Sequence, residues 1–116
     1  MKSWKKDDLL LALHDNTFDI KANAVCLLVN NFSDSLTVAD ADEIVKLFED
    51  KRDAIARTAA EGIGINDRLA EPVLGPLMDS KKKNVAVWAA IGIVQKRYYQ
   101  DAALREKALK KILRKR

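Results

Sequence analysis

The sequence is poor in residues that interrupt helices and in residues that build chemical sites. It has only two prolines and four glycines in 116 residues, too few for the many turns of an all-β fold. Its single cysteine, Cys26, excludes an internal disulfide framework and fits a reducing compartment. One cysteine and one histidine, His14, also supply too few of the usual ligands for a zinc site. We therefore expect no metal and no cofactor.

The two residues best suited to catalysis lack the partners that catalysis needs. His14 directly precedes Asp15, and we interpret it as a polar residue at a helix C-terminus, where positive charge is favourable. Cys26 is surrounded by aliphatic residues, and no motif supplies the base or the electropositive setting of a nucleophilic thiolate. The glycines match neither a phosphate-binding loop nor a dinucleotide fingerprint. We therefore predict no catalytic residue and a protein that is not an enzyme.

Long apolar runs are also missing. The longest run, residues 85–94, has ten residues, half of what is needed to cross a bilayer. The N-terminal segment MKSWKKDDLL has neither the extended apolar stretch nor the cleavage site of a secretory signal. We therefore expect a cytoplasmic protein with no membrane partner.

Positive charge is concentrated at the C-terminal end of the chain. Residues 1–99 contain 14 basic and 15 acidic residues, so this part is nearly neutral. Residues 100–116 contain seven basic residues and two acidic ones, and they account for the net charge of +4. The basic residues are Arg105, Lys107, Lys110, Lys111, Arg114, Lys115 and Arg116.

Three stretches, residues 9–28, 44–64 and 73–93, are weakly similar to one another. In each, an apolar run ends in aspartate, a short polar link follows, and an aliphatic residue precedes an alanine by four positions. The steps of 35 and 30 residues indicate a stack of helical hairpins. The aligned positions are Asp15, Ile20, Ala24 and Leu28; Asp50, Ile55, Ala59 and Ile63; and Asp79, Val85, Ala89 and Ile93.

Capping residues divide the chain into seven predicted helices within one domain, residues 1–116. We expect helices over about 4–14, 18–32, 37–49, 50–64 and 81–99, an irregular helix from residue 66, and a last helix over 101–116. The repeats then cover about 4–32, 37–64 and 66–99. The last helix carries one apolar stripe and is predicted to cap the stack. The stripe consists of Leu104, Ala108, Leu109, Ile112 and Leu113.

This repeated pattern resembles the HEAT repeat, especially its short bacterial form. The segments LLLALHDNTFDIKANAVCLL, IVKLFEDKRDAIARTAAEGIG and VLGPLMDSKKKNVAVWAAIGIV carry the resemblance. It implies an armadillo-like α-α superhelix of three hairpins with a C-terminal capping helix; a compact helical bundle is the alternative. Two departures stand out. The basic residue after the aliphatic anchor is Lys21 in the first repeat but Ala56 and Ala86 in the others, and the third repeat has an extra residue after Asp79.

The resemblance also implies a function: a non-catalytic scaffold that binds a protein partner on the concave face formed by the second helix of each hairpin. The sixth helix is apolar on all sides, so it presents either an exposed patch or a surface covered by the last helix. The candidate contact residues are Lys21, Asn23, Arg57, Thr58, Val87, Trp88, Ile91 and Tyr98.

The alternative partner is nucleic acid, bound through its phosphate backbone by the basic last helix. A second basic cluster, Lys81-Lys82-Lys83, lies at a helix N-terminus, where positive charge opposes the helix dipole and favours a ligand. A third alternative, an accessory role beside bilin lyases with similar repeats, has no residue that specifies a tetrapyrrole. We expect a monomer or a weak homodimer. The nucleic-acid candidates are Lys110, Lys111, Arg114, Lys115 and Arg116.

Overall fold

Helices make up all the regular secondary structure of the described chain. The structure is a computed structural model that describes residues 4–95 and 102–115, the side chain of residue 115 excepted, and these ranges contain no strand. The prediction of an all-α fold is therefore confirmed. The helices are α1 (Lys6–Ala12), α2 (Phe18–Asn31), α3 (Val38–Val45), α4 (Asp53–Gly64), α5 (Gly75–Leu77), α6 (Lys83–Val94) and α7 (Ala102–Lys115).

The helices form two rows. In the main row, α2, α4, α6 and α7 pack one against the next in chain order. In the outer row, α1 packs on α2, α3 with its 3-10 turn Lys46–Glu49 packs on α4, and the π turn Ala70–Leu74 with α5 packs on α6. The chain thus forms three successive hairpins followed by one additional helix. The superhelical form and the HEAT-like assignment stay predictions.

The hairpin turns share one hydrogen-bonding device. The carboxylates of Asp15 and Asp50 accept hydrogen bonds of 2.7 and 2.8 Å from the backbone N–H two residues later, directly before α2 and α4. The repeat predicts that Asp79 caps the third turn as the other two aspartates do. This prediction is wrong, because the hydroxyl of Ser80 accepts the equivalent bond at 3.1 Å. Ser80 precedes its aliphatic anchor by five residues, as the two aspartates do, so the extra residue lies before the turn.

Local sequence also explains the other helix boundaries. The predicted capping box at the start of α3 is present, because Thr37 and Asp40 each accept the other's backbone N–H. Pro76, within α5, has no N–H to donate to the carbonyl of Pro72, and the chain directly before α5 widens into the π turn. The helix predicted from residue 81 begins at Lys83 instead. The proposed caps at residues 3 and 101 lie outside the described residues.

The core follows the predicted repeat except at the two ends of the main row. Ala24, Ala59 and Ala89 are buried, as the pattern predicts. Ile20, predicted to anchor α2 in the core as its counterparts anchor α4 and α6, is 45% exposed because α4 is the one described helix that packs beside α2 in the main row.

The capping stripe of α7 is likewise only partly buried. Ala108 is fully buried and Leu104 and Ile112 are half-buried, so α7 covers α6 as predicted. Leu109 and Leu113 are 46% and 63% exposed, so their prediction as part of the buried stripe is wrong. They lie beside the buried part of the stripe, on a face of α7 that no described helix covers.

The contact between α4 and α6 depends on two glycines. A Cβ atom built on Gly64 would collide with the carbonyl oxygen of Gly92. A Cβ atom on Gly92 would lie 2.7 Å from the carbonyl oxygen of Ala60 and 2.6 Å from the Cδ1 atom of Leu74. The two helix backbones are therefore closer than any side chain at these positions permits.

We expect Gly92→Ala to lower the free energy of unfolding by about 1–3 kcal/mol, because the added methyl group forces α4 and α6 apart. The matched control is Gly75→Ala. Gly75 has helical dihedral angles (φ −53°, ψ −58°) and no atom within 4 Å of a Cβ at that site. That control should raise stability by about 0.4–1 kcal/mol. Urea unfolding of the three proteins measures both changes; equal stability for Gly92→Ala and wild type would contradict the close contact.

Candidate functional site

The two basic clusters seen in the sequence meet at one cleft between α6 and α7. The cleft has a volume of about 500 Å³. Lys83, the first residue of α6, lines the cleft together with Lys111 and Arg114 of α7. We call this surface the basic cleft. The described residues that line it are Ser80, Lys83, Ala86, Val87, Lys111 and Arg114.

The charges of the basic cleft are not balanced by carboxylates. Lys83, Lys111 and Arg114 form no ion pair with any residue that the structure describes. The N-terminus of α6 adds its partial positive charge at the same place. The three positive side chains and the N-terminus of α6 repel one another. A bound anion reduces this repulsion and is therefore favoured at the cleft.

Other basic residues near the cleft are already neutralised. Lys107 pairs with Asp79 at 3.0 Å, and Lys110 pairs with Glu106 at 3.3 Å. These four residues line a second cleft of about 380 Å³ that shares Lys111 and Arg114 with the first. Of the five nucleic-acid candidates, Lys111 and Arg114 thus lie in the basic cleft and Lys110 lies beside it. Residue 116 and the side chain of residue 115 lie outside the described residues.

The residues proposed for a protein partner differ in their surroundings. Arg57 is exposed, and its guanidinium carbon lies 5.9 Å from the centre of the Trp88 ring, which joins α4 to α6 by a cation–π contact. Asn23 is exposed in a separate groove near the start of the row. Thr58 donates its hydroxyl to the carbonyl of Ala54 at 2.7 Å, within its own helix.

The apolar patch proposed on α6 is half-buried. Val87, Trp88 and Ile91 are each partly accessible, with Trp88 packed against the core and Val87 lining the basic cleft below α7. Both alternatives drawn from the sequence therefore hold in part: α7 covers one side of the patch and leaves the other accessible. Residue 98, the last member of the proposed set, lies outside the described residues.

Lys21, also proposed as a partner contact, has a structural task instead. Its ammonium lies 3.4 Å from Asp50, and the two side chains are only 12% and 9% exposed. Arg52 binds the same carboxylate with Nε and Nη2, at 2.9 and 3.0 Å, and reaches the carbonyl of Asn16 at 2.9 Å. The cluster ties the first hairpin to the second. The hydrogen bonds from Arg52, followed by that from Lys21, hold the pKa of Asp50 well below its ordinary value, against the effect of burial.

The sequence did not predict an apolar groove between α1 and α2. Its volume is about 460 Å³. Trp4 and Ile20 on its border are 56% and 45% exposed. The helical periodicity of the sequence assigns Ile20 to the core. Its place on the border of the groove follows only from the position of α2 as the first helix of the main row. The remaining lining residues are Leu9, Ala12, Asn23, Ala24, Cys26, Leu27, Asn30 and Asn31.

The described residues contain no cluster of three potential metal ligands, and none of their helices has the length and apolarity of a bilayer span. His14 is exposed, 3.7 Å from the carboxylate of Glu43. No family model, curated protein or solved structure matches the chain. Function is therefore argued from the geometry of the molecule.

We expect Asp50→Asn to lower the free energy of unfolding at neutral pH, and to lower it by a smaller amount in acid. Asparagine keeps an acceptor for the turn but loses the charge that Lys21 and Arg52 neutralise. Because folding lowers the pKa of Asp50, its stabilisation is complete above the ordinary value of 3.8 and is lost as the pH falls through the lower folded value.

Urea unfolding of wild type and Asp50→Asn at about pH 7 and about pH 3 measures this effect. The difference in free energy of unfolding should be smaller at the lower pH. Asp53→Asn, at an exposed position of the next helix start, is the control. A difference for Asp50→Asn that is the same at both pH values would contradict the role of its charge.

Proposed function

We propose that the chain is a non-catalytic module that binds the phosphate backbone of nucleic acid in the basic cleft. The observation that carries the proposal is the meeting of Lys83 with Lys111 and Arg114, three cations from two helices with no carboxylate among them. Proteins that bind phosphate backbones use such unpaired basic side chains together with helix N-termini.

The chemistry of the cleft favours phosphate contacts over the reading of bases. Its polar groups are two ammonium groups, one guanidinium and the hydroxyl of Ser80, which is occupied as the acceptor of the turn. A guanidinium matches two phosphate oxygens at once, and ammonium groups act as point charges. Among the residues that the structure describes, no amide or carboxylate side chain lines the cleft to recognise base edges. We therefore propose binding with little dependence on base sequence.

The proposal reverses the order of preference drawn from the sequence, in which a protein partner came first. Two residues of the protein-binding set, Lys21 and Thr58, have their polar groups engaged within the molecule. Lys83, Lys111 and Arg114, by contrast, come from separate parts of the chain and form no ion pair with any described residue. A non-enzymatic, HEAT-like binding module is the common element of both interpretations.

We expect Lys111→Gln with Arg114→Gln to weaken binding to a short fluorescent DNA duplex and to reduce its salt dependence. Each phosphate contact contributes about −0.9 to the slope of log K against log salt, so the slope should become less steep by about two. Fluorescence anisotropy between about 50 and about 200 mM salt measures both quantities.

The matched control is Lys5→Gln with Lys46→Gln, which removes the same charge from exposed positions outside the cleft. This control should keep nearly the wild-type slope. Equal slopes for the two double variants would show a general effect of net charge and contradict the cleft as the site. Absence of wild-type binding at low salt would overturn the proposed function.

A second candidate, a protein partner, is favoured by the Arg57–Trp88 pair. Arginine and tryptophan are the residue types most often decisive in protein interfaces, and here they are already held together on the exposed side of α4 and α6. A partner that covers the pair also shields the cation–π contact from water, which strengthens it.

We expect Arg57→Ala to lose such a partner without loss of fold, because Arg57 is exposed and forms no ion pair among the described residues. Immobilised wild type, Arg57→Ala and the control Lys46→Ala are compared for proteins retained from a cell extract, quantified by mass spectrometry. A protein retained by wild type and control but lost with Arg57→Ala supports this candidate. Identical retained sets for all three would remove the Arg57–Trp88 pair as a contact.

A further inference from the structure

The main row ends in apolar surface on both sides. Within the described chain, α2 has a row neighbour only in α4, and α7 packs against α6. Large apolar side chains are exposed at both ends: Trp4 and Ile20 at the α2 end, Leu109 and Leu113 at the α7 end. Stacked-helix proteins keep polar outer faces at their terminal elements, and here large apolar side chains interrupt the polar surface at both ends.

The α2 end is concave. The groove between α1 and α2 measures about 460 Å³ and presents Trp4 and Leu9 on one side and Ile20 and Leu27 on the other. Asparagines at positions 23, 30 and 31 complete its lining. An apolar floor with a neutral polar border fits aliphatic side chains projecting from a helix.

The α7 end is convex and presents such side chains. Leu109 and Leu113 are four residues apart, so they project from the same face of α7. This face lies beside Ala108, which is buried. A helix that packs on its own stack by one face thus exposes two leucines, one turn apart, on a neighbouring face.

The two ends also have opposite charge. Residues 102–114 contain five basic residues and one acidic residue. Residues 4–31, which contain α1 and α2, have four aspartates and three lysines. Two of these lysines are already paired, Lys6 with Asp40 and Lys21 with Asp50. Asp7, Asp8 and Asp19 are exposed and form no ion pair with any described residue. Opposite charge steers the two ends toward each other and disfavours contact between two like ends.

We propose that α7 of one copy docks in the α1–α2 groove of a second copy, with Leu109 and Leu113 in the groove. The docked α7 packs on the side of α2 that no described helix covers. It thereby continues the main row from one molecule into the next. Such a contact joins two different surfaces, so each molecule retains one free end and a ring or an open chain forms. Salt weakens the association by screening the charges of the two ends.

The test uses two variants that each block one end. Ile20→Asp places a charge in the groove, and Leu113→Asp places one on the exposed face of α7; both positions are exposed, so both variants fold. Sedimentation velocity should show wild type associating beyond the dimer as its concentration rises, and each variant alone should stay monomeric. An equimolar mixture of the variants should form a dimer and stop there, because only one intact groove and one intact α7 are present in each pair.

Leu11→Asp is the matched control, since Leu11 is 72% exposed but does not line the groove. It should associate as wild type does, whereas Ile20→Asp and Leu113→Asp should each weaken association at least about tenfold. Wild type that stays monomeric at millimolar concentration overturns the proposal and leaves the groove to a different chain. Dimers formed by either blocked variant alone also overturn it, because they indicate contact between identical surfaces.

Cys26 offers a second, independent readout, because it is the single cysteine of the chain and lines the groove. A cysteine introduced as Leu113→Cys should form a disulfide with Cys26 of another copy under mild oxidation and give a ladder of covalent oligomers on a non-reducing gel. Leu11→Cys should give no ladder. A ladder from Leu11→Cys equal to that from Leu113→Cys would indicate collisional cross-linking and contradict a specific contact.

Discussion

The close contact between α4 and α6 at Gly64 and Gly92 is the constraint on which the rest of the structure depends. No side chain separates the two backbones here, so direct contact between main-chain atoms fixes the position of α6 relative to α4. α6 in turn carries α7 on one side and the Arg57–Trp88 contact on the other. The glycine contact therefore positions the helix that supplies Lys83 to the basic cleft and on which α7 packs.

Helical periodicity predicted the interior of this fold well. Alanines four residues after an aliphatic anchor lie at helix crossings, because only a small side chain permits the close approach of paired helices. The chemistry of the turns also follows the sequence pattern, because a short polar side chain that accepts a hydrogen bond precedes the second helix of each hairpin. The extra residue in the third repeat shifted that acceptor from Asp79 to Ser80, and an alignment by aspartates alone missed the change.

The ends of the stack were not predicted, for a physical reason. Periodicity reports which face of a helix is apolar, but it does not report whether another helix is present to cover that face. Ile20 has the sequence environment of Ile55, yet it is 45% exposed where Ile55 is fully buried. Leu109 and Leu113 follow the spacing of a core stripe and lie outside it because α7 is the last described helix. These departures define the two surfaces that remain available for association.

The candidate site was predicted in its parts but not as a whole. The sequence identified a basic last helix and three lysines at the start of the sixth helix, each of which is compatible with ordinary solvent exposure. Only the packing of α7 on α6 brings Lys83 to the same cleft as Lys111 and Arg114. Conversely, Lys21 looked like a surface contact and is instead a buried partner of Asp50, because the second hairpin covers it.

The central claim is that the two basic clusters act as one binding site for a phosphate backbone. Its most direct test is an NMR titration of the isotope-labelled protein with a short DNA duplex at low salt. The account predicts that backbone amide shifts change together at the start of α6 and along the C-terminal half of α7, with one common binding curve, and that the amides of α2 stay unchanged. Shifts confined to α7, or centred on Arg57 and Trp88, would contradict it.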